Sequence, residues 1–166
     1  MAAPDLILYD EEFQRIKEVI SRLRLDANAK IVFLVDKNGQ QIAANGDLES
    51  VDTTSLASLT AGNVAATDGL ARLIGEKEFS ILFHEGEKDN IHISIVGQRV
   101  ILVVIFDDRS SLGLVRLRVR KASVELEKVF QEILRKVEVE RSNLASGIES
   151  PFAEITDEDI DNLFSD

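Results

Sequence analysis

His84 and His92, eight residues apart with Glu85, Glu87 and Asp89 between them, are the side chains whose types best suit a metal ion. Their spacing follows no recognised ligand pattern, and histidines and carboxylates at strand ends and turns are ordinarily solvated, so no metal is expected. Thirty acidic residues offer material for acid-base chemistry, but no spacing singles out a pair. The strings G-x-x-x-x-G-K-[ST], G-x-G-x-x-G and G-x-S-x-G are missing, so neither a phosphate cradle nor a nucleophile elbow is expected, and no cofactor. Without cysteine there is no thiolate ligand, thiol nucleophile or disulfide framework. Arg116, Arg118, Arg120 and Lys121 form a basic run that could face phosphate, but on a helix they spread around one flank, and a solvated face is expected. What remains is recognition rather than catalysis.

The charge balance narrows the partners. A formal net charge of -11 repels phosphate backbones and anionic headgroups, which argues against nucleic acid and membrane insertion. The imbalance is concentrated: residues 149–166 hold seven acidic residues and no basic one, and the rest of the chain has 23 acidic against 19 basic. The longest strongly apolar run, Val100 to Phe106, is too short to span a bilayer, and the N-terminus shows no signal-peptide pattern, so a cytoplasmic protein is expected.

Apolar residues at Phe13, Ile16, Val19, Ile20 and Leu23 predict a first amphipathic helix over Asp10 to Ala27. "KIVFLVDKNGQQIAAN" predicts a hairpin, its Asn-Gly supplying the positive φ angles of a tight turn. "DTTSLASLTAGNVAATDGLARLIGE" predicts a second helix, capped near Asp52 and stopped at Gly75. "SILFHEG", "NIHISIVG" and "RVILVVIFDD" predict an antiparallel meander whose last strand is apolar enough to be covered on both faces. From Leu112 to Val137, steps of three and four predict a long third helix starting at Ser110 or Ser111. The expected fold is α+β, in the order α-β-β-α-β-β-β-α: a five-stranded antiparallel sheet with one helix on one face and two on the other. Residues 1–138 form the expected domain, 139–151 a flexible linker and 152–166 an acidic amphipathic tail.

Two segments suggest contacts beyond the chain. On the second helix, Leu56, Leu59, Ala66, Leu70, Leu73 and Ile74 read as the core stripe, while Ser58, Ala61, Gly62, Ala65, Gly69 and Arg72 gather on another side. A solvated face would carry good helix formers, whereas each interior glycine costs about 1 kcal/mol relative to alanine. Close approach of a partner accounts for that cost; burial between layers of the same chain is the competing reading. The tail interleaves Phe152, Ile155, Ile160, Leu163 and Phe164 with its carboxylates, a pattern suited to a short helix laid into a partner's groove.

The strings "DANAKIVFLVDKNGQ", "DTTSLASLTAGNVAA", "RVILVVIFDDRSSLGLVRLR" and "SPFAEITDEDIDNLF" resemble the Roadblock/dynein light chain family, in its branch concerned with bacterial gliding motility, over almost the whole chain. That resemblance implies a homodimer, with no active site of its own, that binds one Ras-like small GTPase per dimer. It accelerates GTP hydrolysis and helps fix front-rear polarity at a cell pole. It also implies that paired second helices form the platform under the GTPase, placing Ala61, Ala65, Gly69 and their neighbours at the dimer and GTPase surfaces. The tail would reach a separate GTPase surface and influence nucleotide exchange. Arg72 and Arg109 are candidate fingers, but the resemblance favours an activator that reorganises the GTPase's own switch residues. A Roadblock scaffold that only localises partners is the second reading.

Overall fold

The computed structural model describes residues 9–153 and 162, with residues 147–153 described as backbone only. The elements are α1 (Asp10–Asp26), β1 (Ile31–Asp36), β2 (Gln41–Gly46), α2 (Thr53–Leu73), β3 (Ile81–Glu85), β4 (Asn90–Val96), β5 (Val100–Phe106) and α3 (Leu112–Ala153). Tyr9–Phe130 form one compact unit, and Gln131 onward belongs to a second.

In α1, Ile16, Val19, Ile20 and Leu23 are buried, with acidic residues in the first turn and Arg24 in the last, the arrangement that the helix dipole favours. The sheet runs β2-β1-β5-β4-β3 and is antiparallel throughout. Strand alternation then sorts the side chains into two layers. Ile31, Phe33, Val35, Ile93, Ile101, Val103 and Ile105 form a core with Ala57, Ala61 and Val64 of α2. Val32, Leu34, Leu102, Val104 and Phe106 point the other way, toward α1 and the first half of α3, and are buried. An ion pair of 3.1 Å between Arg22 and Glu125 links those two helices. Every residue of β5 is buried, as expected of a central strand covered on both faces.

Two local expectations change. Of the Asn38-Gly39 pair only Gly39 takes a positive φ, +89°. The turn is closed instead by the Asp36 carboxylate, which accepts from the Asn38 and Gln40 amides at 2.9 Å each. Residues 139–151, expected as a flexible linker, are helical, because α3 continues unbroken through them. The stretch holds three serines, Asn143, Gly147 and Pro151 beside Glu140, Arg141, Leu144, Ala145 and Glu149, so helix propensity alone does not account for the continuation.

His92, fully buried on the layer beneath α3, has no hydrogen-bond partner for either ring nitrogen among the described residues. Burial, and secondarily the charge of Arg116, hold its pKa below the usual histidine value. The unfolded chain therefore binds a proton near pH 6.5 that the folded chain refuses, so stability falls as pH drops through that value. Thermal melts from about pH 7.5 to about pH 5 should show this slope in the wild type and a flatter one in His92→Leu, which also leaves no polar atom unpaired. Parallel slopes would remove His92 as the cause.

Candidate docking surface on the second helix

Asp52 caps α2, its carboxylate accepting from the Ser55 amide at 3.2 Å and the Ser55 hydroxyl at 2.7 Å. Those hydrogen bonds, the side-chain one first, hold its pKa below the usual carboxylate value. The helix then crosses the sheet from the β1–β2 turn to the β3 edge. At the turn, a Cβ on Gly39 would stand 3.3 Å from the Ser58 Cα and 3.6 Å from the Ala61 Cβ. At the edge strand, the Asn63 amide nitrogen lies 3.1 Å from His84 Nε2.

The side of α2 that faces its own sheet is the small one. Ala57, Thr60, Ala61, Val64 and Ala71 are its buried residues. Of the stripe expected in the core, only Leu56 is packed against it; Leu59 is 73% exposed, Leu70 60%, Leu73 83% and Ile74 69%, and Ala66 is exposed too. The correction has a steric reason. The sheet beneath α2 carries Ile31, Phe33, Ile101, Val103 and Ile105, so bulk on the strands leaves room only for short side chains on the helix. Ala61 is thereby a core residue of its own chain.

Ser58, Gly62, Ala65 and Arg72 are exposed and Gly69 is half-exposed. They run about a quarter-turn around the helix from the leucine ridge, so ridge and furrow form one surface. A Cβ on Gly62 or Gly69 would meet nothing within 4 Å. No contact among the described residues calls for these two glycines. Alanine at either position should stabilise the isolated fold by about 1 kcal/mol; urea unfolding of Gly62→Ala and Gly69→Ala measures this, and a loss of stability would point to an internal role.

The outward leucines are what the sequence reading missed as surface. Their signal was that α2 lacks a charged face, with only Asp68 and Arg72 ionised between Thr53 and Leu73. Phe152 lies in the backbone-only part of α3, and Ile155, Ile160, Leu163 and Phe164 lie outside the described residues.

The polar candidates separate. His84 pairs with Ile91 and His92 with Phe83 across β3 and β4, so the two imidazoles leave the sheet on opposite faces. Among the described residues, no group of three or more His, Asp or Glu is placed to hold a metal ion. Arg109 is engaged by Asp107, Nε to Oδ1 at 3.0 Å, while its carbonyl accepts from Asn28 at 2.7 Å. The Arg109 hydrogen bonds in turn lower the Asp107 pKa. Arg72 is exposed, its Nε 3.4 Å from the Asp68 carbonyl.

Among known proteins, the Roadblock/LC7 domain pattern matches residues 15–106. A solved structure of Myxococcus xanthus MglB is 64% identical, covering 77% of this chain and 96% of that one, with a TM-score of 0.73. The gliding protein MglB of Thermus thermophilus is 33% identical over 79% of this chain and 99% of that one, with a TM-score of 0.72. A structure described as MglB with tetrameric arrangement is 31% identical over 80% and 99%, with a TM-score of 0.73. No curated protein sequence matches the chain. With a family pattern matched across most of α1 through β5 and MglB structures similar over three-quarters of its length, this chain belongs to the Roadblock/LC7 domain family.

Proposed function

We propose that this protein is a homodimeric activator of a Ras-like small GTPase of the MglA type, acting in cell polarity and gliding motility from the cytoplasm, enriched at a cell pole. The observation that carries the reading is the outward surface of α2: a leucine ridge beside a furrow with two glycines that the chain's own packing leaves open. Exposed apolar surface of this kind is characteristic of an interface. Similarity to MglB structures supports a gliding-motility protein of this family, and a partner of the MglA type is part of the proposal. One ridge packs against the same ridge of a second copy, and the paired furrows receive one GTPase per dimer. Residues 152–166 reach a second GTPase surface and promote nucleotide exchange. No helix among the described residues is long and apolar enough to cross a membrane, in keeping with this site of action.

Catalytic power in this reading comes from positioning the GTPase's switch residues, not from an inserted cation. Arg109 already holds Asp107, and its backbone is tied to Asn28. Arg72→Ala and Arg109→Ala should each keep stimulated hydrolysis within about threefold of wild type; an arginine finger is worth about 10³ to 10⁵. A collapse with binding intact would make that arginine the finger.

The decisive measurement is single-turnover GTP hydrolysis by the purified MglA-type GTPase with and without this protein. Acceleration supports the activator. An unchanged rate in a complex demonstrated by light scattering would establish a scaffold instead.

A further inference from the structure

The part of α3 in the Tyr9–Phe130 unit buries Val115, Val119, Ala122, Leu126, Val129 and Phe130. At 100° per residue, Leu117, Lys121, Val124 and Lys128 form one line on the opposite side, with Arg120 next to it. Leu117 is 60% exposed and Val124 55%. Arg116, Arg120, Lys121 and Lys128 are exposed as well, and none makes an ion pair among the described residues. Glu125 and Glu127 flank the line on either side, and Glu125, the nearer, is taken up by Arg22. A solvated helix face has no need of two large apolar residues one heptad apart, opposite the buried stripe. Nor is the concentration of unpaired positive charge what a chain of net charge -11 would place there by default.

We propose that this apolar and basic stripe docks the acidic C-terminal segment, residues 149–166, of a second copy of the chain. Charge complementarity selects the occupant: the segment has seven acidic residues and no basic one. Its sequence also supplies apolar anchors, Ile160, Leu163 and Phe164, at the i, i+3, i+4 spacing that puts them on one side of a helix. Those anchors suit Leu117 and Val124, while the flanking carboxylates meet Arg120, Lys121 and Lys128. The contact is separate from the α2 surface, and it uses the same segment that the proposed function sends to a second GTPase surface, so the GTPase and a second copy compete for it.

A labelled synthetic peptide of residues 149–166, titrated with the full-length protein and followed by fluorescence anisotropy, tests this directly. Saturable binding that weakens with added salt is expected. Arg120→Glu/Lys121→Glu and Leu117→Ser/Val124→Ser should each weaken it by about tenfold or more, with unchanged circular dichroism melts, because all four side chains are exposed. A peptide with Ile160, Leu163 and Phe164 replaced by alanine should not bind. Sedimentation of the full-length protein should show self-association that rises with concentration and is reduced in both double variants. Equal binding by wild type and variants, no saturable binding by wild type, or self-association untouched by the variants would each overturn the proposal. Binding to phosphatidylserine vesicles without binding to the peptide would overturn it in favour of a membrane surface.

Discussion

Ala65→Arg is expected to weaken the GTPase complex by about a hundredfold or more while shifting the melting temperature by no more than a few degrees. Ala65 is exposed on the furrow of α2, so a long cation there projects into solvent in the free chain but into the partner in the complex. The control one turn away has the opposite signature. Ala61 is 8% exposed in the core with Phe33 and Val103, and Ala61→Arg would drive an uncompensated charge into it, at a cost of about 3 kcal/mol or more. Calorimetric titration, light scattering and thermal melts on both variants separate three outcomes. Wild-type affinity in Ala65→Arg would remove the furrow from the GTPase surface. Loss of the dimer before loss of the GTPase would assign Ala65 to the contact between copies.

Gly46→Ala should be among the most damaging single substitutions for stability, by about 3 kcal/mol or more, with refolded protein hard to recover. Gly46 closes β2 with φ +125°, a conformation that side chains rarely adopt. The added methyl would stand 2.2 Å from the Lys30 carbonyl oxygen and 2.9 Å from the Ile31 Cα, both backbone atoms of the neighbouring strand region. Relief would require parting β2 from β1 at the point where the chain leaves the sheet toward α2. Chemical denaturation of Gly46→Ala beside Gly62→Ala makes the contrast: the first loses stability and the second gains it. Similar midpoints for the two would contradict the geometry at residue 46.

The legible parts of the fold were those where one physical signal dominated. Ile16, Val19, Ile20 and Leu23 mark α1 because their opposite face is charged, and the unbroken run Val100–Phe106 marks a strand with no solvent face. For α2 the period identified a helix but misassigned its inner side, because apolar residues occur all round it. Size is the wrong guide here: Leu59, Leu70 and Leu73 face outward and Ala57, Ala61 and Ala71 inward, because space is set by Phe33, Ile101 and Val103 on strands distant in sequence. Of the small-residue set, Ala61 belongs to the core, while Ser58, Gly62, Ala65 and Arg72 are exposed; periodicity has no means of separating residues one turn apart by what they touch. The third helix was found by its buried stripe, and its extension past Val137 was missed for want of one.

The order of the strands also dictates a timetable. β1 pairs with β5 from Ile31 opposite Ile105 to Asp36 opposite Val100, so the pairing at the centre of the sheet joins segments about seventy residues apart. At synthesis rates of about 5 to 20 residues per second, the hairpin and α2 would leave the ribosome several seconds before the strand that completes their sheet. Closing such a loop makes folding slower than local pairing alone. Until β5 arrives, Val32 and Leu34 have no neighbour on that side and β4 has only β3. A nascent chain halted before Val100 is thus expected to be chaperone-bound and protease-sensitive, and one released only after Phe130, with the first part of α3 in place, to acquire protection in a single step.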